Sequence, residues 1–347
     1  MNRLILEGER SGQVVDIQAR LRVLGIEVDE ETGYFGGRTK EAVRTFQQRR
    51  GLLADGIVGP DTWDALVEAG WRLGDRILYL KNPPMRGDDV LALQARLNAL
   101  GFDAGREDGI FGNDTYEALR AFQHEYAIEE DGIFGTRSLS ALSGLRVDRP
   151  HTAAGLREEL KRTASGMRGT LVVVDPGHGG MDLGDLGPNG LREADVCWDL
   201  AKRVAGSAAH AGARVRFTRT ETEELDSTGR AVRANEVGAD VFVSIHLNSH
   251  TEPMAEGAST YYFPRSRSGE MLAESVRNRL VSLGLRDCRS HPQNYSILRE
   301  TRMPAVLVEP AFITNPDEAK LLVDPDFRAT LARAVADGVR DFFETES

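Results

Sequence analysis

Cysteine is nearly absent from this chain: 347 residues contain two, Cys197 and Cys288. Neither has a neighbour at zinc-finger spacing, and nothing in the sequence supports a disulfide between them. Cys197 lies in EADVCWDLAKRV, a helical pattern, and reads as a small buried thiol. Lysine is scarce as well, at five of 43 basic residues, a skew that reads as coding bias rather than function. An excess of positive charge is also missing. The formal net charge of −11 argues against nucleic acid as the main partner, because phosphate binding wants a basic face. No run approaches the roughly 20 apolar residues of a membrane span. The amino terminus, MNRLILEGERSGQ, has neither the apolar core nor the small-residue cleavage site of a secretory signal. On that reading the chain is cytoplasmic as synthesised. What remains, 41% hydrophobic and 28% charged residues, suits a globular protein of two or three domains.

The first half is a duplication. VVDIQARLRVLG (14–25) returns as VLALQARLNALG (90–101), with Gln18 matching Gln94. The same offset carries Gly33-Tyr34-Phe35-Gly36 onto Gly109-Ile110-Phe111-Gly112 and Phe46-Gln47 onto Phe122-Gln123. It also takes Asp55-Gly56-Ile57-Val58-Gly59 onto Asp131-Gly132-Ile133-Phe134-Gly135. Such a register, ungapped over most of each copy, marks a true repeat. Within a copy, Val14, Ile17, Leu21 and Leu24 recur at helical spacing and stop at Gly25. A second stripe follows at Thr39, Ala42, Val43 and Phe46. An Asp-Gly turn then leads to a short third helix opened by Pro60 or Thr136. Phe46, Phe122, Trp63 and Leu139 read as core. Each copy (8–70 and 84–144) is therefore expected to be a three-helix module. Residues 71–85 are expected to bridge them, stiffened by Pro83-Pro84. A polar linker over 145–170, with a short helix in GLREELKRTA, follows.

From residue 171 the pattern alternates strands and helices, the signature of an α/β layer fold with an open, mostly parallel sheet. Strands are expected at 171–175, 213–218, 240–246, 258–263 and 304–309. Helices are expected at 192–211, 227–238, 268–284, 316–322 and 326–344, the last amphipathic through Leu331, Val335, Val339 and Phe342.

Three of those strands end on residues that can hold or work with a metal. LVVVD runs into Pro176-Gly177-His178, DVFVSI into His246, and PAVLV into Glu309. In open α/β sheets, catalytic groups collect beyond the carboxyl ends of the strands. Glu193, fifteen residues after His178, starts a helix, where a carboxylate also favours the helix dipole. Grouped with the two imidazoles it supplies a third, anionic ligand. Two His and one carboxylate, with a fourth position open, is the ligand set of hydrolytic zinc. His250 competes with His246 but lies already in the following loop. Glu309, at the tip of a buried strand, needs a cationic partner there.

Both copies of the repeat resemble the peptidoglycan-binding module. The Gln-x-x-Leu-x-x-Leu-Gly helix, the Gly-x-Phe-Gly loop, the Phe-Gln pair and Asp-Gly-x-x-Gly carry that likeness. Residues 171–347 resemble the zinc-dependent N-acetylmuramoyl-L-alanine amidases, through DPGHGGMDLGDLG, GLREADVCWDLA, RVRFTRT, RAVRANEVGADVFVSIHLNS and RMPAVLVEPAFITNPDEAKLL. The resemblance implies zinc held by His178, Glu193 and His246, with Glu309 as the catalytic carboxylate. It implies peptidoglycan as the partner, cleaved between the lactyl group and the stem peptide. The cell wall would be the site of action after export or lysis. Where relatives commonly read Glu-x-Gly-Phe, this chain has Glu309-Pro310-Ala311-Phe312. The run from His178 to Glu193 is also too short for the occluding helix of some relatives. The alternative is a non-enzymatic cytosolic regulator or scaffold of wall synthesis that keeps the fold.

Overall fold

The computed structural model describes residues 4–145, 167–188 and 190–344. They fall into two compact units, Met1–Arg157 and Glu158–Ser347. The short helix expected in GLREELKRTA lies outside the described residues.

The first unit holds two helical modules, α1 (Gly12–Val23), α2 (Gly37–Arg50) and α3 (Pro60–Glu68), then α4 (Asp88–Leu100), α5 (Asn113–Glu125) and α6 (Thr136–Ser143). Ser11 caps α1 by accepting from the Val14 N–H, a favoured start for a helix whose first amides have no internal partner. Each module closes on its own apolar centre. In the first, Ile17, Leu21, Phe35, Val43, Phe46 and Leu66 are buried together. In the second the matching residues are Leu93, Leu97, Phe111, Leu119, Phe122 and Leu142.

A second, finer repeat lies inside each module. The buried Gln18 amide donates to the Glu31 and Tyr34 carbonyls and to Thr39 Oγ1, and its oxygen accepts from Gly33 N. Gln94 donates to Asp108 Oδ1, the Ile110 carbonyl and Thr115 Oγ1, and its oxygen accepts from Gly109 N. Gln47 and Gln123, on the second helices, tie the next loop down in the same way. Each of these four side chains satisfies a turn whose backbone groups would otherwise be buried unpaired.

The stretch 71–85, expected to be a bridge, is not only that. Leu78 is buried and pairs with Phe134, as Ile5 pairs with Val58 in the first module. The alternation of exposed Ile77 and Tyr79 around Leu78 is too short to announce a strand in the sequence. Arg50 on α2 and Asp88 on α4 form a two-pronged ion pair, at 2.7 and 2.6 Å, between the modules.

The second unit is a six-stranded sheet ordered β2-β1-β3-β6-β4-β5. The strands are β1 (Leu171–Pro176), β2 (Arg214–Phe217), β3 (Val241–Ile245), β4 (Ala258–Tyr262), β5 (Asp287–Pro292) and β6 (Ala305–Glu309). β2, β1, β3 and β6 run parallel; β4 is antiparallel to β6 and parallel to β5. The helices are α7 (Glu193–His210), α8 (Ser227–Glu236), α9 (Arg267–Val281), α10 (Ser296–Arg299), α11 (Pro316–Val323) and α12 (Pro325–Glu344).

Two elements, β5 and α10, were not expected. β5, Asp-Cys-Arg-Ser-His-Pro, is an edge strand with no buried residue, so it has no apolar run by which to be recognised. α10 is a single four-residue turn.

Side chains alternate across the strands. Val172, Val174, Val243, Ile245, Val306 and Val308 pack with α7, α9 and α12. Val173, Phe242 and Leu307 face the other way, against Ala234 and Leu298. That second face carries Asp175, His246 and Glu309 at its carboxyl end. Met167 packs into the first of these cores, so 167–170 of the expected linker folds with this unit.

Candidate metal centre and active site

Glu193 begins α7 and is almost fully buried, yet both its oxygens are engaged by backbone amides. Oε2 accepts from Asp185 N at 2.9 Å, and Oε1 accepts from Leu247 N at 2.9 Å. The same Oε1 lies 3.1 Å from His178 Nε2 and 3.3 Å from His246 Nδ1. One ligand atom from each of the three residues falls within 4.8 Å of the others. Burial alone would raise the Glu193 pKa, but hydrogen bonds and charge from His178 and His246 outweigh it. The carboxyl is held well below the usual range. Burial likewise opposes protonation of His178, while Glu193 and Asp182 raise its pKa overall.

Local chain geometry makes this packing possible. Gly177 lies flat on the His246 ring: a Cβ there would sit 2.6 Å from Cε1. Gly184 has φ +65°, and a Cβ on it would come within 2.7 Å of both Glu193 Oε2 and His178 Cδ2. His178 itself has φ +56°, in the left-handed region that non-glycine residues seldom adopt. Its Nδ1 contacts Asp182 Oδ2 at 2.9 Å, which leaves Nε2 as the nitrogen facing Glu193. His250 is not part of the group; its Nδ1 accepts from Glu252 N in the loop beyond.

Glu309 stands beside His246. In the parallel register Ile245 pairs with Val308, so the next residues of the two strands are neighbours on one face. Oε2 of Glu309 accepts from the Tyr261 hydroxyl at 2.9 Å and from Ser259 Oγ at 3.2 Å. Burial raises its pKa, and the hydrogen bonds from Tyr261 and Ser259 and the charge of His246 offset only part of that rise. The Pro310-Ala311 departure leaves the strand pairing intact up to Glu309, which remains opposite Ser259 on β4.

Comparison with known proteins follows the same division. Residues 172–341 match the family described as "N-acetylmuramoyl-L-alanine amidase". Residues 10–66 and 86–142 match the one described as "Putative peptidoglycan binding domain". The N-acetylmuramoyl-L-alanine amidase CwlM of Mycobacterium tuberculosis is 40% identical over 360 residues, covering 97% of this chain and 88% of its own. The chain belongs to the N-acetylmuramoyl-L-alanine amidase family.

Two further amidases match about half of this chain. LytC of Bacillus subtilis is 34% identical over 178 residues, which is 50% of this chain and 36% of that one. The solved amidase of Clostridium difficile 630 is 32% identical with a TM-score of 0.50, over 52% of this chain and 100% of its own. Sequence reasoning did not single out Asp182, Ser259, Tyr261, Arg219 or Arg230. Asp182 had a signal in its place four residues after His178. The others become visible only when distant strands meet.

Proposed function

We propose that the second unit is a zinc-dependent hydrolase that cleaves the amide between the lactyl group of N-acetylmuramic acid and L-alanine of peptidoglycan. The observation that carries this reading is the convergence of His178, Glu193 and His246 at the sheet rim, beside the half-buried carboxylate of Glu309. The donor set fits the metal: two imidazoles and one carboxylate, the anion already oriented by two backbone amides, is a zinc-type set with room for a further ligand. When bound, zinc supplies a Lewis acid that acidifies water and polarises the lactyl carbonyl.

The chain's own residues do the rest. Asp182 holds the His178 ring so that Nε2 faces inward. Tyr261 and Ser259 both bond Oε2 of Glu309, leaving Oε1 as the oxygen that exchanges a proton. Glu309 takes that proton from the attacking water and returns it to the departing alanine nitrogen. Its burial favours the first of these transfers, because a carboxylate whose pKa is raised is a stronger base towards the attacking water.

The two modules hold the enzyme on its polymeric substrate, raising the local concentration of cleavable bonds by linked binding. The wall is then the site of action. Incubating zinc-loaded protein with purified peptidoglycan and labelling new amino termini tests the reading. New amino-terminal alanine is the expected product, and intact peptidoglycan contradicts it.

A further inference from the structure

Three successive carbonyls in the loop that carries His178 are gripped by two buried guanidiniums. Arg230, on α8, donates to the Pro176 carbonyl at 2.5 Å and to the His178 carbonyl at 2.6 Å. It also reaches the Leu225 carbonyl at 2.7 Å and Asp175 Oδ1 at 3.0 Å. Arg219, just beyond β2, donates to the Pro176 carbonyl at 2.9 Å and the Gly177 carbonyl at 2.8 Å. Its remaining bonds go to the carbonyls of Thr220 and Glu221. Asp175 is fixed in turn by Ser244 Oγ at 2.7 Å and by the Thr218 hydroxyl.

The two cations are 3% and 6% exposed, and one carboxylate, Asp175, is paired with Arg230 alone. Among the described residues Arg219 forms no ion pair and is solvated by carbonyl oxygens instead. A buried cation without a counter-ion is a poor way to gain stability. Burial, and then the charge of Arg230, lower its pKa accordingly. What the pair does achieve is geometric. The planar fork of arginine reaches several acceptors at fixed angles, which a lysine ammonium cannot reproduce. The bonded carbonyls flank the residue whose backbone is left-handed, and Gly179 lies directly against the Arg219 guanidinium, where a Cβ would approach within 2.6 Å.

We propose that Arg219 and Arg230 are positioning residues for the metal centre. They lock the carbonyls of residues 176–178 so that His178 stays in its left-handed conformation, with Nε2 aimed at Glu193 and His246. The proposal rests on the metal-centre reading given above.

The test compares the full-length protein with Arg230→Lys, Arg219→Lys and Asp175→Asn. Arg279→Lys serves as the control, because Arg279 forms a bidentate pair with Asp341 between α9 and α12 and does not touch the loop. Zinc affinity is measured by chelator competition, the ligand field by the absorption of the cobalt-substituted protein, and stability by thermal melting. The two loop lysine variants are expected to bind zinc roughly tenfold to a hundredfold more weakly, with an altered cobalt spectrum. Asp175→Asn is expected to move both in the same direction. The control is expected to melt at a lower temperature with both metal readouts unchanged. Loop variants with undiminished zinc affinity and the wild-type spectrum overturn the proposal, and so does a control that loses affinity to the same extent. If Arg230→Lys fails to fold, Arg219→Lys and Asp175→Asn decide the matter. Wild-type protein that takes up no zinc removes the metal centre and the proposal together, an outcome visible before any variant is made.

Discussion

Asp182 Oδ2 lies 2.9 Å from His178 Nδ1, and this contact sets which ring nitrogen faces Glu193. The carboxylate four residues along the same loop thus orients the imidazole at the sheet rim. Replacing Asp182 by Ala frees the ring to turn. Zinc affinity is expected to fall roughly tenfold to a hundredfold, while the melting temperature of the metal-free protein changes little. Chelator competition and calorimetry separate the two effects; unchanged affinity in the variant removes Asp182 from the site.

Glu309 is held by Tyr261 and Ser259 but does not belong to the ligand trio. Glu309→Gln is therefore expected to retain zinc and to lose about two to four orders of magnitude in turnover. Tyr261→Phe, which removes one of the two bonds to Oε2, should lose less. Kinetics on soluble peptidoglycan fragments, run beside metal analysis, check both. Substantial turnover in Glu309→Gln contradicts the proton-transfer role.

The metal-free centre has a definite pH signature. Glu193 is held below its ordinary pKa of 4.5, so its contribution to stability is present above that value and is lost as the pH falls through the depressed pKa. His178 is raised above 6.5, so its contribution is complete below 6.5 and is lost as the pH rises through the raised pKa. Metal-free protein is thus expected to gain most from this cluster between about pH 4.5 and 6.5, and to lose it towards alkaline pH. Zinc competes with the proton on His178, so saturating zinc shifts the optimum upwards. Melting curves against pH, with and without zinc, report both; identical profiles count against the assignment.

In the second module the side chain of Gln94 serves two buried backbone groups, Gly109 N and the Ile110 carbonyl, besides Asp108 and Thr115. Gln94→Leu keeps the volume and orphans those partners. A loss of roughly 1–3 kcal/mol in denaturant unfolding is expected, with zinc binding in the other unit unaffected. A neutral substitution would show that the loop does not depend on the amide.

Much of this was legible in the chain. The duplication, the module helices and strands β1, β3, β4 and β6 follow from spacing and hydrophobic pattern, because those elements bury regular apolar faces; β2, an exposed edge strand, shows only a short Val215, Phe217 alternation. His178, His246 and Glu309 stand out because apolar strands end on them. β5 escaped because Asp-Cys-Arg-Ser-His-Pro has no alternation of apolar residues at all, and Ile77–Tyr79 because three residues are too few to show one. Arg219 and Arg230 looked like any other arginine in an arginine-rich chain. Their role rests on carbonyls about 40 to 55 positions away. Tyr261 and Glu309, 48 residues apart, meet only because β4 runs antiparallel to β6.

The most direct measurement is the zinc content of the purified full-length protein, before and after His178→Ala and Glu193→Gln. Close to one ion per chain in the wild type, falling to near none in both variants with the fold retained, is the predicted result. A wild type that binds no zinc, or variants that bind as much as it does, contradicts the assignment of His178, Glu193 and His246 as one metal centre.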